Sequence, residues 1–234
     1  MLPSFFNLKP TDLIVTGIEQ TENAQRLLKK ALFPVVQVMD ICDDPIDMIV
    51  GFYHGQAIEQ ALQHMVDQGF SRIGFIAARM DPRAQKRLQV YRSMMEKRGL
   101  YDEQFVISTQ APSSVELGRY LFADLMTKAL NCDAVLCNND DLAVGAALEC
   151  QRRHIKIPEQ MGICSFNDLG TTSQMYPPIT SINTPRFESG KKAVEMVLAA
   201  LEQGDNHKKK IVDLGLTLKT RSSTNKKIRT LQLT

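Results

Sequence analysis

The chain has 234 residues, 44% of them hydrophobic, enough for a large core; at this size folding removes roughly 70–75% of the unfolded surface. Its net charge of +2 lacks the basic excess of a free-standing DNA-binding domain, and no segment approaches the roughly 18 consecutive apolar residues of a membrane span. Five cysteines, an odd number with no C-x-x-C pair, argue against a disulfide framework and for a reducing compartment.

The N-terminal MLPSFFNLKP has no basic segment before an apolar run, so it does not read as a secretory signal. Residues 12–17 then read as a strand, and Thr21 is placed to cap a helix presenting Leu27, Leu28, Ala31 and Leu32. Pro34 ends that helix, 35–39 forms the next strand, and 48–52 is an apolar run after the Asp43-Asp44-Pro45 loop. A helix lined by Ala57, Ile58, Ala61, Leu62, Met65 and Val66 stops at Gly69. The rhythm continues with a strand over 72–78, a helix over 83–98 and an extended segment at 104–108. Ser113 with Glu116 has capping-box spacing for another helix. After it come a strand at 134–137, a helix over 140–154, strands at 162–166 and 179–183 and a helix over 187–201, and 211–218 closes the fold. Strands alternating with helices of this length predict an α/β fold with parallel sheets covered on both faces. Two basic clusters stand apart from this pattern. One is His207 to Lys210; the other is the tail carrying Lys219, Arg221, Lys226, Lys227 and Arg229, which reads as a solvated, frayed end.

Ligands of open parallel sheets sit beyond the carboxyl ends of the strands. The residues there are Asp40, the run from Arg79 to Arg83, Ser108-Thr109, the run from Asn138 to Asp141, and Asn167-Asp168. Amides, carboxylates and guanidiniums of this kind bond vicinal hydroxyls, and arginine holds a carboxylate through two bonds. Singly, Asp140 reads equally well as a helix cap and Asn167-Asp168 as a turn; as a set they point to binding. Catalytic signatures are missing by comparison. The chain has no G-x-S-x-G elbow, no phosphate loop and no G-x-G-x-x-G. His54 lies near a crossover, with no nucleophile linked to it by a known spacing. Its acidic pairs lack a metal-loop pattern, so neither metal, cofactor nor catalysis is expected.

Four segments carry a family resemblance. CNNDDLAVGAALECQRRHIKIP (137–158) resembles the hallmark segment of the LacI-type transcriptional regulators, and GFSRIGFIAARMDPRAQKRLQVY (69–91) their strand and effector-contacting helix. PPITSINTP (177–185) resembles their return crossover and TLKTRSST (217–224) their closing strand. Through NDDLAVGAALECQ and MDPR the chain is most similar to the gluconate-operon repressors. The resemblance implies two doubly wound lobes of the periplasmic-binding-protein type I fold, joined by three crossovers, with effector in the cleft. It assigns 1–50 and 183–208 to an N-terminal lobe, 51–182 and 209–224 to a C-terminal lobe, and 225–234 to the basic tail. The effector contacts it implies are Asp40, Arg83, Arg87, Asn139, Asp140, Asn167 and Thr184. This sequence departs from the family at Tyr53-His54, where Asp-Asn is common, at Phe70 in place of a histidine, and at Asn167 in place of an acid. The family's helix-turn-helix headpiece and the start of its N-terminal lobe are expected to be missing here, so operator DNA would be reached only through that absent headpiece.

Few aromatics lie near the strand ends, whereas sugar-ring pockets commonly stack on one. With Arg83 and Arg87 four apart on one helical face, an open-chain sugar acid such as gluconate is the expected effector. The function expected is effector binding and homodimerisation in a cytoplasmic repressor of carbohydrate metabolism. The alternatives are a periplasmic-type sugar-binding protein of the same fold, an α/β enzyme, and a truncated, non-functional remnant.

Overall fold

The computed structural model describes residues 10–203 and 209–226. Within these bounds they fall into two compact units, 10–53 with 185–203 and 209–216, and 54–184 with 217–226. His207, Lys208 and 227–234 of the expected basic clusters lie outside the described residues.

The first unit is built on four parallel strands in the order β1-β2-β3-β9. These are β1 (Leu13–Thr16), β2 (Val35–Val38), β3 (Met48–Gly51) and β9 (Lys210–Asp213). Helix α1 (Glu22–Lys29) starts where Thr21 accepts from the Ala24 backbone N–H, as its sequence predicts. Only Leu28 of its four expected apolar residues is fully buried, and Leu32 is exposed beyond the helix end. Helix α7 (Arg186–Gln203) lays Ala193, Met196, Val197 and Ala200 over Val36, Met48 and Val50 of the sheet. Gly51 is obligatory here, because a Cβ would lie 2.5 Å from the backbone N and O of Asp40.

The second unit carries six strands in the order β10-β8-β7-β6-β4-β5, all parallel except for the antiparallel β10. In chain order its elements begin with α2 (His54–Asp67), β4 (Ile73–Ala77), α3 (Pro82–Lys97), β5 (Val106–Ser108) and α4 (Val115–Lys128). They continue with β6 (Ala134–Cys137), α5 (Asp140–Arg152), β7 (Gly162–Asn167), the short α6 (Gly170–Gln174), β8 (Thr180–Asn183) and β10 (Thr217–Lys219). Successive strand residues point to opposite faces. Ile76, Val135 and Cys137 therefore pack with Phe122 and Leu125 of α4 and Leu142 and Ala146 of α5. Phe75, pointing the other way, meets Tyr91 of α3 with ring centroids 5.1 Å apart. Four of the five cysteines are buried and none is in a disulfide; burial pushes the Cys132, Cys150 and Cys164 thiols up to about 12.

The structure corrects two expectations. The segment 211–218, expected to close the fold, carries parts of two strands, and β9 pairs with β3 in the first unit, so 209–216 does not belong to the C-terminal lobe. Gly215, at φ +63° and donating its N–H to the Asp213 carboxylate at 2.8 Å, breaks the run. The cap of α4 is Ser114, which accepts from Leu117, rather than Ser113.

Helices α4 and α5 approach so closely that glycine is needed at the crossing. A Cβ on Gly145 would lie 2.3 Å from the Val115 carbonyl and 2.6 Å from the Arg119 nitrogen. Gly190, within α7, faces open space. Gly145→Ala should lower stability by about 1–3 kcal/mol through overpacking, and Gly190→Ala should raise it by about 0.5–1 kcal/mol by restricting the unfolded chain. Urea denaturation of both variants checks the pair.

Candidate functional site

The site lies at the carboxyl edge of the second unit's sheet. After β4 the chain turns through Arg79 (φ 65°) and Met80 (φ 39°), two left-handed residues of the kind that cluster at functional turns. The Arg79 N–H, bonded to the Ala111 carbonyl at 2.8 Å, secures this turn. Asp81 then caps α3 by accepting from Ala84 at 2.9 Å, and Pro82 occupies the first helical turn, where a missing N–H costs nothing. This start places Arg83 and Arg87 on one face, four residues apart.

They line a cavity of about 230 Å³ together with Arg79, Asp81, Ser113, Asn138, Asn139 and Asn167. Drug-sized pockets run to roughly 300–1,000 Å³, so this one suits a small metabolite. Burial alone would raise the Asp81 carboxyl, but the Ala84 N–H and the charges of Arg83 and Arg87 carry it below its usual range. Asp81 is thus an anion, with Arg83 3.5 Å away. Three guanidiniums against one carboxylate leave the cavity positive.

Arg87 is the most constrained of the three. It is 8% exposed, and its guanidinium carbon lies over the Phe166 ring, 3.5 Å from the centroid. Its Nη1 donates to the carbonyl and side-chain oxygens of Asn138 at 2.9 and 3.2 Å. Its Nε donates to His54 Nδ1 at 3.2 Å, with Nη2 at 3.1 Å from the same atom. The His54 ring stacks on Phe166, with centroids 5.8 Å apart. These bonds orient the guanidinium.

Among the residues predicted for the site, the structure brings Arg83, Arg87, Asn139 and Asn167 into this one cavity. Asn139 also caps α5, its Oδ1 accepting from Leu142 at 3.1 Å. Asn167 is held at φ 104°, and its carbonyl accepts weakly from the Thr184 hydroxyl at 3.5 Å. Thr184 is buried behind Asn167 rather than in the lining. Asp40 belongs to the first unit, where its carboxylate accepts from the Ile41 N–H at 2.9 Å.

Asp140 must be corrected. It is 1% exposed and turned inward; Oδ1 accepts from the hydroxyls of Ser165 and of Ser181 (3.2 Å), and Oδ2 from the Leu169 N–H at 2.7 Å. Burial raises its carboxyl, and those three donors oppose the rise. It braces β7, β8 and the turn after β7, and it is not in the cavity lining. Asp168 plays a similar part, tied to Arg221 at 2.7 Å and to Asn183 at 3.0 Å.

Comparison with known proteins bears on this geometry. Residues 62–224 match the model of the periplasmic binding protein-like domain. The regulator GntR of Chromobacterium violaceum, a solved structure, superposes with a TM-score of 0.88 at 32% identity, covering 95% of this chain and 82% of that one. The chain belongs to the LacI-type regulator family. A LacI family protein from Silicibacter pomeroyi superposes with a TM-score of 0.90 at 27% identity, covering 95% and 67%. The HTH-type transcriptional regulator GntR of Pseudomonas aeruginosa is 37% identical over 224 residues, 96% of this chain and 65% of the relative. IdnR of Escherichia coli is 33% identical over 204 residues, 87% of this chain and 60% of the relative. The chain thus spans 60–65% of the length of these two curated relatives. No helix among the described residues is long and apolar enough to cross a membrane.

Within this LacI-type domain, the strand-end runs of the sequence already held Arg79, Asp81 and Asn138, though the family resemblance did not pick them as contacts; Ser113 as lining, and His54 and Phe166 as the seat of Arg87, were missed. The run of polar residues after β4 was a usable signal for Arg79 and Asp81; nothing local marks His54. Asp140→Ala should cost at least about 2 kcal/mol, since it orphans several buried donors, against about 1 kcal/mol for removing the cap in Asn139→Ala. Thermal or urea unfolding of the two variants measures the difference.

Proposed function

We propose that this chain is the effector-binding part of a LacI-type repressor, and that its effector is an open-chain sugar acid such as gluconate. The observation that carries the reading is the charge of the second unit's cavity, with Arg79, Arg83 and Arg87 facing one carboxylate, Asp81. An anion of modest size fits that imbalance. The amides of Asn138, Asn139 and Asn167 and the Ser113 hydroxyl supply donors and acceptors for a row of hydroxyl groups. No aromatic ring lines the cavity among the described residues, and the Phe166 face is covered by Arg87. A pyranose ring, which gains most from an aromatic platform, is therefore served less well than an open chain.

Two relatives named GntR support the sugar-acid assignment, and names of the HTH type support a role in transcription. On this reading the chain works in the cytoplasm as a homodimer, returns its ligand unchanged and carries no catalysis. DNA contact is the task of a helix-turn-helix headpiece in the whole protein. Effector acts by binding one of two conformations more tightly, which shifts their populations.

Calorimetry tests the assignment directly. Gluconate should bind the chain more tightly than glucose; equal or tighter binding of glucose overturns the sugar-acid reading. Arg87→Ala should weaken gluconate at least tenfold, as loss of a charged hydrogen bond worth about 1.5–3 kcal/mol requires. Arg83→Ala, at a half-exposed position, should weaken it in the same direction with the melting temperature unchanged.

A further inference from the structure

A guanidinium can only donate hydrogen bonds. Two of its nitrogens, Nε and Nη2 of Arg87, converge on His54 Nδ1 at 3.2 and 3.1 Å, so that ring nitrogen must present a lone pair and the proton must sit on Nε2. His54 is 3% exposed and is the first residue of α2, while Arg87 is on α3 and Phe166 on β7. Three elements thus converge on one small stack. The imidazole stacks on Phe166 and the guanidinium carbon lies over the same ring; the Nδ1 lone pair fixes the direction in which the guanidinium points.

We propose that His54 is a positioning residue for the effector site, holding Arg87 in its anion-binding orientation through an unprotonated Nδ1. The inference rests on the sugar-acid reading above and adds a condition to it, namely that the imidazole be neutral. A proton on Nδ1 removes the acceptor and sets a cation against two guanidinium N–H groups. The ring meets Arg87 from α3 and the neutral Phe166 from β7, and the neutral Asn138 lies across the guanidinium. Of the nearby carboxylates, Asp81 bonds Ala84 and Arg83, Asp140 bonds Ser165, Ser181 and Leu169, and Asp168 bonds Arg221. Imidazoles titrate at about 6.5 when unperturbed, so acidification is the natural probe. The sign is fixed by the geometry: anion binding needs the neutral ring and falls as pH falls, even though a protonated ring would add positive charge nearby.

The test uses the 234-residue chain, with gluconate as ligand, followed by calorimetry from pH 8 to pH 5.5. In the unliganded protein the Arg87 Nε–H is followed by nitrogen-15 NMR and assigned through Arg87→Lys. The wild-type chain should lose gluconate affinity at least tenfold across that range, and the Arg87 Nε–H signal should shift or broaden in step. His54→Asn offers an amide oxygen in place of Nδ1; it should keep affinity within about threefold at pH 8 and lose most of the pH dependence. His54→Leu should bind at least tenfold more weakly at pH 8. An Asn variant whose pH dependence matches the wild type overturns the inference, whether or not the Leu variant folds. So does an Arg87 signal that ignores both pH and the substitution at 54. If the Arg87 signal titrates and responds to His54→Asn while no sugar acid binds, the positioning role stands and the effector assignment fails.

Discussion

A guanidinium buried at the carboxyl edge of a sheet must find acceptors and a surface to lie on, or its desolvation would unfold the site. Arg87 meets that demand with the Phe166 face, both oxygens of Asn138 and the Nδ1 of His54. The demand organises its surroundings. It requires α2 to begin at His54, β6 to deliver Asn138 at its end and β7 to deliver Phe166 one residue before its end. These bonds set the direction in which the guanidinium points. On the proposed reading, the same contacts that make the guanidinium tolerable in the fold also orient it for a ligand.

A second buried polar group, Asp140, stiffens the frame around this stack. Its carboxylate gathers the hydroxyls of Ser165 on β7 and Ser181 on β8 and the N–H of Leu169. Asp168, at φ 58°, is clamped between Arg221 and Asn183. Asn167, between those two anchors, keeps a left-handed conformation that a free turn would abandon. The cavity owes its shape to polar groups that never reach it. A carboxylate in a family's signature segment can thus belong to the frame and not to the ligand shell.

Much of this was legible in the sequence, and the exceptions share a cause. Arg83 and Arg87 could be paired because four residues along a helix return to the same face. The strand ends could be found because apolar runs stop at polar residues, which is how Asn139 and Asn167 were reached. Asn139 and Asp140, however, are neighbours at a helix start, and adjacent helical residues point in directions roughly 100° apart. Sequence order alone does not say which of the two faces the cavity and which the sheet. The 211–218 run failed similarly: apolar residues on both sides of Gly215 satisfy one strand or two, and the choice depends on which sheet has an edge to offer.

The sequence by itself determined the fold class, the family and the end of the sheet at which to look, since these follow from local periodicity and from motifs of contiguous residues. Tertiary structure alone decided that Asp140 is a brace, that 209–216 joins the first unit, and that Arg87 rests on His54, 33 positions away in the chain. Local propensity sets the direction of a backbone over a few residues. Which distant groups a buried charge meets is set only when the elements pack.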